Sequence, residues 1–226
     1  MKNKAAAKIT GYSIIIMALL AAFAFGYAYP KICDLTDKSL TLTSLRENEI
    51  LYILMVSAII LILIIDFLIS YTLYIYFKGI DIFFSLMACA LRLSYSIIFG
   101  FAIFFLIKNL SLTTYINDLI FYNFQQFEII WSLGLIFFGV HLFIVGLLMI
   151  LHSEIPNILW LVTFVGSLSY MVVHFMKIIS IDSQFPFSLE SILALPMALA
   201  EIGLAIWLIV KGGTGDNINK YIVLGL

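Results

Sequence analysis

The sequence predicts an all-α fold, a polytopic integral membrane bundle of six transmembrane helices. Of the 226 residues, 64% are hydrophobic and only 11% are charged, whereas about 25% of the residues in soluble domains are charged. Mean hydropathy is +1.15. Six separate apolar runs are each close to the length of about 20 residues that a helix needs to cross a bilayer. We expect one membrane domain over residues 1–226, because too little chain is left for a soluble domain.

The six predicted spans are joined by segments of very different length. Only residues 78–81 separate the second span from the third, and only residues 152–157 separate the fourth from the fifth. Connections this short predict antiparallel helical hairpins. The predicted spans are residues 9–29, 50–77, 82–107, 127–151, 158–176 and 189–210.

The first predicted span follows three lysines, Lys2, Lys4 and Lys8. Signal peptides also begin with basic residues, but residues 9–29 exceed a signal core of about 7–15 residues, so we expect the run to be retained as a span. The lysines favour a cytoplasmic N-terminus. Six spans return the chain to the side where it began, so we expect both termini to be cytoplasmic.

The segments between the spans carry most of the other polar residues. In the polar loop 30–49, Ser44 and Glu47 have the spacing of a capping box, which predicts the start of a helix before the second span. Between residues 108 and 126, apolar residues recur at helical spacing among polar ones, which suits either an interfacial amphipathic turn or an ordinary loop. A short tail, residues 211–226, follows the last span.

Four spans each carry one ionisable side chain near the middle of an apolar run. A rise of about 1.5 Å per residue puts Asp66, Arg92, His141 and Glu201 roughly 14–16 Å from the same side of the membrane. Because a charge at the bilayer centre costs at least about 2.5–3.5 kcal/mol, we expect Asp66 and Arg92 to pair. Glu201 is then either a neutral acid or a hydrogen-bond partner of His141.

Two interpretations of this polar layer stay open. In the first, the layer is a structural group that holds the register of the helices. In the second, it lines a cavity for a ligand, an ion or a proton. A second group lies toward the opposite face of the membrane, where we expect a solvated rim rather than a site. This group comprises Glu128, His174 and Lys177, with Gln125 and Glu190 nearby.

The remaining residues show no motif for catalysis, for a cofactor or for a metal. There is no HExxH or paired-histidine spacing, and no GxSxG surrounds a serine. With a net charge of −1 and no basic block beyond the N-terminal lysines, the chain is not suited to nucleic acid. Trp131, Trp160 and Trp207 fall near helix ends, which is typical of an aromatic belt at the membrane interface.

Three segments carry a family resemblance: ALRLSYSIIFG at residues 90–100, GLIFFGVHLFIVGLLMILHSEIP at residues 134–156, and EIGLAIWLIVKG at residues 201–212. They resemble a bacterial family of multi-pass membrane proteins known as domain of unknown function 4386. The resemblance implies a six-helix layout in a bacterial inner membrane, and no activity. Asn157 and Trp160 depart from its pattern. The matching positions are Arg92, Gly139, His141, Gly146, Ser153, Pro156, Glu201, Gly203, Trp207 and Gly212.

The residues favour a non-enzymatic membrane protein that binds a protein partner or a small amphipathic ligand, with the lipid bilayer around it. One alternative is a small transporter or proton-coupled carrier that uses the polar layer, and another is a membrane enzyme acting on a lipid. A carrier predicts a cavity that touches the layer, whereas a scaffold predicts a filled core.

Overall fold

The computed structural model describes residues 3–111, 117–179 and 185–212, and the regular secondary structure in these ranges is entirely helical. Six helices in the described ranges are long and apolar enough to cross a membrane. The predicted all-α, six-span architecture is therefore confirmed. The helices are α1 (Asn3–Phe23), which continues through a π-helical turn (Ala24–Ala28) into α2 (Tyr29–Ile32), then α3 (Lys38–Glu47), α4 (Glu49–Phe77), α5 (Ile82–Ser111), α6 (Asn117–Leu151), α7 (Asn157–Ile179) and α8 (Phe185–Val210).

The six spans form a closed ring. Each helix contacts the next one in the order α1, α4, α5, α6, α7, α8, and α8 contacts α1. Neighbours in sequence are thus neighbours in space, as the short connections predict, and the first and last spans close the ring. A side chain that points inward from any span meets side chains from several other helices.

Two glycines allow α8 to approach its neighbours closely. A Cβ atom on Gly11 of α1 would lie 2.7 Å from the carbonyl oxygen of Ala205, and a Cβ atom on Gly166 of α7 would lie 2.9 Å from that of Pro196. Real Cβ atoms do not approach backbone oxygen this closely, so both contacts require glycine. Small residues at helix contacts let backbones pack without hydrophobic side chains between them.

The first span contains a widened turn near its end. Pro30 has no N–H group, and its ring clashes with the carbonyl group of residue 26 in a regular helix. The chain instead forms the π-helical turn, in which the Tyr29 N–H donates to the Ala24 carbonyl. Such turns are frequent at functional sites. Here the turn places Phe25 against Trp131, with ring centroids 4.2 Å apart.

The segment 30–49 is not the predicted loop, because most of it is helical. The Asp37 side chain accepts a hydrogen bond from the Leu40 N–H at 2.9 Å and caps α3. Ser44 and Glu47 lie inside α3, so the predicted capping box is wrong. The residue that caps the helix is Asp37, seven positions before Ser44. The next helix, α4, follows directly after Asn48. The short helix α3 lies against the end of α6, where Lys38 and Asp118 form an ion pair.

Several observed helices extend beyond the predicted spans. The first span begins at residue 3 rather than residue 9, and α6 begins at residue 117 rather than residue 127. Because α6 begins early, helix replaces much of the predicted turn or loop at residues 108–126. Residues 112–116 of that segment lie outside the described ranges. The part of the predicted tail from residue 213 onward lies outside them too. With 35 residues, α6 is roughly 52 Å long, which exceeds a hydrocarbon core of about 30 Å. One end of α6 therefore projects from the bilayer, and α3 covers it.

Candidate functional site

Arg92, in the middle of α5, contacts three neighbouring helices. Its Nε atom donates to Asp66 Oδ1 on α4 at 3.0 Å, and its Nη2 atom donates to the same oxygen. Nη2 also lies 3.7 Å from the sulfur of Met17 on α1, and the guanidinium carbon lies 5.1 Å from the ring centroid of Phe138 on α6. The side chains of Asp66 and Arg92 are only 1% and 2% exposed. The predicted Asp66–Arg92 pair is present and buried.

His141 of α6 completes this cluster in a defined tautomer. Its Nδ1 atom lies 2.8 Å from the carbonyl oxygen of Ala88. A carbonyl oxygen only accepts, so Nδ1 carries a proton and Nε2 is left as an acceptor. Arg92 Nη1 lies 3.4 Å from Nε2 and donates to it. Both ring nitrogens are used, and His141 is a neutral acceptor for the arginine.

Glu201 of α8 belongs to the same region but has a different partner from the predicted one. Its Oε1 atom accepts a hydrogen bond from the Tyr170 hydroxyl of α7 at 2.9 Å. Of the two alternatives for Glu201, the hydrogen bond to His141 is not the one observed, because α7 lies between α6 and α8 in the ring and supplies the nearer donor. Tyr170 follows Gly166 and precedes His174 at helical spacing, so the three residues share one helix face. This shared face was the only sequence signal that could have identified Tyr170 as a site residue.

A cavity of about 430 Å³ lies beside these groups. This volume is within the range of roughly 300–1,000 Å³ that is usual for small-ligand sites. Asp66 and Glu201 both line it, and it reaches the outer surface between α1 and α8, where the exposed residues Ala22, Ala194 and Ala198 are part of its lining. Aromatic side chains supply much of the remaining wall, namely Phe25, Tyr95, Trp131, Phe138 and Tyr170.

Asp66 has an unused hydrogen-bond acceptor at this cavity. Its Oδ1 atom takes both hydrogen bonds from Arg92. Its Oδ2 atom is buried and has no hydrogen-bond partner in the described part of the chain. A buried carboxylate oxygen without a partner is costly. The residue that carries this oxygen is part of the cavity lining.

The predicted rim residues are buried and do not form a solvated surface. Glu128, His174 and Lys177 are each at most 5% exposed. Lys177 Nζ lies 2.7 Å from Glu190 Oε2 and 3.5 Å from Glu128 Oε2, and His174 Nδ1 lies 3.3 Å from the Ser132 hydroxyl. The rim prediction was wrong because it placed these side chains at a free helix surface, whereas α6, α7 and α8 pack around them.

A second cavity, of about 550 Å³, lies over this ion cluster. Its wall includes Glu128, Lys177 and Glu190 together with the segment from Tyr29 to Thr36. Phe25, Trp131 and Glu190 line both cavities, so the two spaces adjoin each other. The second cavity forms a polar approach to the more apolar first one.

Two residues in the segment that follows the first span differ in their protonation. Burial raises the pKa of the Cys33 thiol, which keeps it protonated and unreactive. Hydrogen bonds from the hydroxyl and the N–H of Thr36 to Asp34 hold the pKa of that carboxyl below its usual value. Asp34 lines the second cavity and contributes a negative charge to it.

The opposite end of the bundle holds an aromatic cluster around His152. The Trp207 ring packs edge-on against the His152 ring with centroids 5.3 Å apart, and Tyr76 Oη lies 3.2 Å from His152 Nε2. Burial lowers the pKa of His152, so it stays neutral in this cluster. Trp207 is therefore an internal packing residue, and so is Trp131, which stacks on Phe25; neither lies in the predicted aromatic belt.

The two residues that depart from the family pattern contact each other. Trp160 Nε1 donates to Asn157 Oδ1 at 3.2 Å across the first turn of α7. The changes at these two positions are thus complementary. In the described ranges, no three His, Cys, Asp or Glu side chains are grouped closely enough to hold a metal ion.

Comparisons with known proteins agree with the membrane architecture. The family model described as "Domain of unknown function (DUF4386)" matches residues 9–212. An uncharacterized protein of Archaeoglobus fulgidus is 28% identical over 155 residues, which cover 68% of this chain and 81% of that protein. No solved structure matches the chain. The family match extends from the first span to the end of the last, and the chain therefore belongs to the DUF4386 family of multi-pass membrane proteins.

Proposed function

We propose that this membrane protein binds a small amphipathic ligand in the cavity between α1 and α8, without converting it chemically. The observation that carries the proposal is the cavity of about 430 Å³, in which an apolar and aromatic wall meets three carboxylates, Asp66, Glu190 and Glu201. Ligand sites are commonly apolar pockets with a few convergent polar groups. Ionisable residues at mid-membrane depth that face such a space are functional candidates.

The position of the opening supports a ligand that comes from the bilayer. Ala22, Ala194 and Ala198 are small, exposed and part of the cavity lining. A molecule with an apolar body can pass between α1 and α8 there without leaving the hydrocarbon region. A polar group on the same molecule then finds acceptors at Asp66 or Glu201.

Photolabelling tests the proposal with a defined probe, a diazirine-bearing decanol, on the protein in lipid nanodiscs. We expect labels on residues of the cavity wall, such as Met17, Ala18 and Met197. Ala198→Phe puts a ring at the opening and should remove most of this labelling, whereas Ala90→Phe changes an exposed alanine of α5 outside the cavity and should not. Labels confined to outward-facing residues, and unchanged by Ala198→Phe, would refute the proposal.

We also propose that the chain lies in a bacterial inner membrane with both termini in the cytoplasm. Lys2, Lys4 and Lys8 before the first span support this orientation. A green fluorescent protein fused to the C-terminus should fluoresce, and alkaline phosphatase at the same position should be inactive. The two reporters fused after Asp37, which follows the first span, should show the reverse. The opposite pattern at both positions would mean that the orientation is inverted.

A further inference from the structure

We infer that the ligand of the cavity between α1 and α8 is an organic cation with apolar bulk. This inference rests on the proposed function and adds the chemical class of the ligand. Three features carry it: the carboxylates that line the cavity, the balance of charges around it, and the aromatic rings of its wall.

The charges around the cavity leave one carboxylate without a cation. Asp66 and Arg92 neutralise each other through two hydrogen bonds to Oδ1. Glu201 also lines the cavity, and its hydrogen-bond partner, the Tyr170 hydroxyl, is uncharged. Glu190 also lines the cavity, but it is paired with Lys177 at 2.7 Å. Lysine and arginine are missing from the described lining, and its one histidine is His174. A bound monovalent cation would favour the ionised form of Glu201 over the neutral acid and would balance its charge.

Arg92 does not oppose such a ligand. Its three nitrogen atoms are directed at Asp66, His141 and Met17, and it is not part of the cavity wall. Asp66 lies on the wall, so its carboxylate stands between the guanidinium group and the space. The oxygen without a partner is Oδ2, and its side chain is 1% exposed. The side chain that lines the cavity at this point is therefore the carboxylate and not the guanidinium group.

The aromatic wall suits a cation with organic substituents. Positive groups are attracted to the faces of Trp, Tyr and Phe rings, by about 2 kcal/mol or more when they are desolvated, and aromatic cages bind quaternary ammonium groups in this way. Five aromatic residues line the cavity: Phe25, Tyr95, Trp131, Phe138 and Tyr170. One face of Phe25 and of Trp131 is used in their mutual stacking, and Phe138 also contacts the Arg92 guanidinium group. An inorganic cation would gain less here, because the wall offers few oxygen atoms.

The adjoining second cavity carries charge of the same sign. Asp34, Glu128 and Glu190 line it together with Lys177, so carboxylates outnumber ammonium groups there. Hydrogen bonds from Thr36 keep Asp34 ionised. A space lined by net negative charge raises the local concentration of cations. The polar approach and the apolar cavity thus favour the same class of ligand.

Three probes of the same shape test the sign of the charge: tetraphenylphosphonium, tetraphenylborate and tetraphenylmethane. Binding to the full chain in nanodiscs is measured by equilibrium dialysis, and the signal of empty nanodiscs is subtracted. We expect saturable binding of the phosphonium probe and much weaker binding of the other two. Ala198→Phe should abolish this binding, which would place it in the cavity.

Glu201→Gln is the decisive variant. The amide keeps an oxygen that can accept from Tyr170, whereas Asp66→Asn would leave Arg92 without its partner and would disturb the fold. Since truncating one member of a desolvated charge pair is strongly unfavourable, we expect the Kd for tetraphenylphosphonium to rise about tenfold or more. Glu154→Gln removes an exposed carboxylate outside the cavity and should leave the Kd unchanged.

Two results would overturn the inference. The first is equal or tighter binding of tetraphenylborate or tetraphenylmethane that Ala198→Phe still abolishes, which would keep the proposed function and reject the cation. The second is the absence of saturable phosphonium binding, or binding that Glu201→Gln leaves unchanged. In that case labelling of the cavity wall by the diazirine-bearing decanol decides separately whether the proposed function stands.

Discussion

Replacing Arg92 with methionine is expected to lower the free energy of unfolding by about 3–5 kcal/mol, the usual cost of breaking a buried ion pair by removing one partner. Methionine has a similar length but makes no hydrogen bond to Asp66 Oδ1 or to His141 Nε2. Asp66 is then a carboxylate buried in the bundle without a counter-charge. The measurement is equilibrium unfolding in mixed micelles, with Lys78→Met, at an exposed lysine of the turn after α4, as the control.

The double variant Asp66→Asn/Arg92→Met completes this test. Replacing both members of a buried pair by neutral residues is often nearly neutral, so we expect the double variant to regain much of the stability lost in Arg92→Met. The difference between the double variant and the sum of the two single variants gives the coupling energy. Losses that simply add would show that the two side chains do not interact in the membrane, in contradiction to the observed pair.

Gly166→Ala is expected to have the second largest effect, a loss of about 1–3 kcal/mol, the range for overpacking of a dense interior. The new Cβ atom would lie 2.6 Å from the Ala200 Cβ atom and 2.9 Å from the Pro196 carbonyl oxygen, both held in α8. Since backbone cannot move aside as a flexible side chain can, α7 and α8 must separate.

Gly100→Ala is the matched control for this prediction. A Cβ atom at Gly100 of α5 would meet only the end of the Leu63 side chain, at 3.6 Å, which is an ordinary contact. Alanine also favours a helix over glycine by up to about 1 kcal/mol, so the control should be neutral or slightly stabilising. Equal losses in the two variants, measured by the same unfolding assay, would mean that close contact between α7 and α8 is not what Gly166 provides.

The part of the site that the sequence predicts best is the pair of Asp66 and Arg92. Both lie at the same distance from a four-residue turn, so helix rise alone brings them to one depth. Such arithmetic locates residues along the membrane normal but not around the ring. The partner of Glu201 depends on which face of α8 is turned toward α7, and this rotation follows from the packing of side chains.

The burial of Glu128, His174 and Lys177 could not be predicted for a related reason. Hydropathy places charged residues near a span end at the interface, where long side chains reach water. Their actual environment depends on tertiary packing, in which the segment after α2 and the start of α8 cover them. The capped helix α3, also missed, contacts α6, and its own sequence pattern is too polar and too short to stand out.

The contact between α1 and α8 is tight at Gly11 and Ala205 but not farther along, and this has a consequence for the supply of ligand. All cavity residues of α1 come from Ile14 onward, and all those of α8 come before Leu204. The opening therefore faces only one leaflet of the bilayer. Occupancy should follow the composition of that monolayer, and a molecule inserted in the other monolayer must first flip across. Under the proposed function, the protein would respond to the transbilayer asymmetry of its ligand as well as to the total amount.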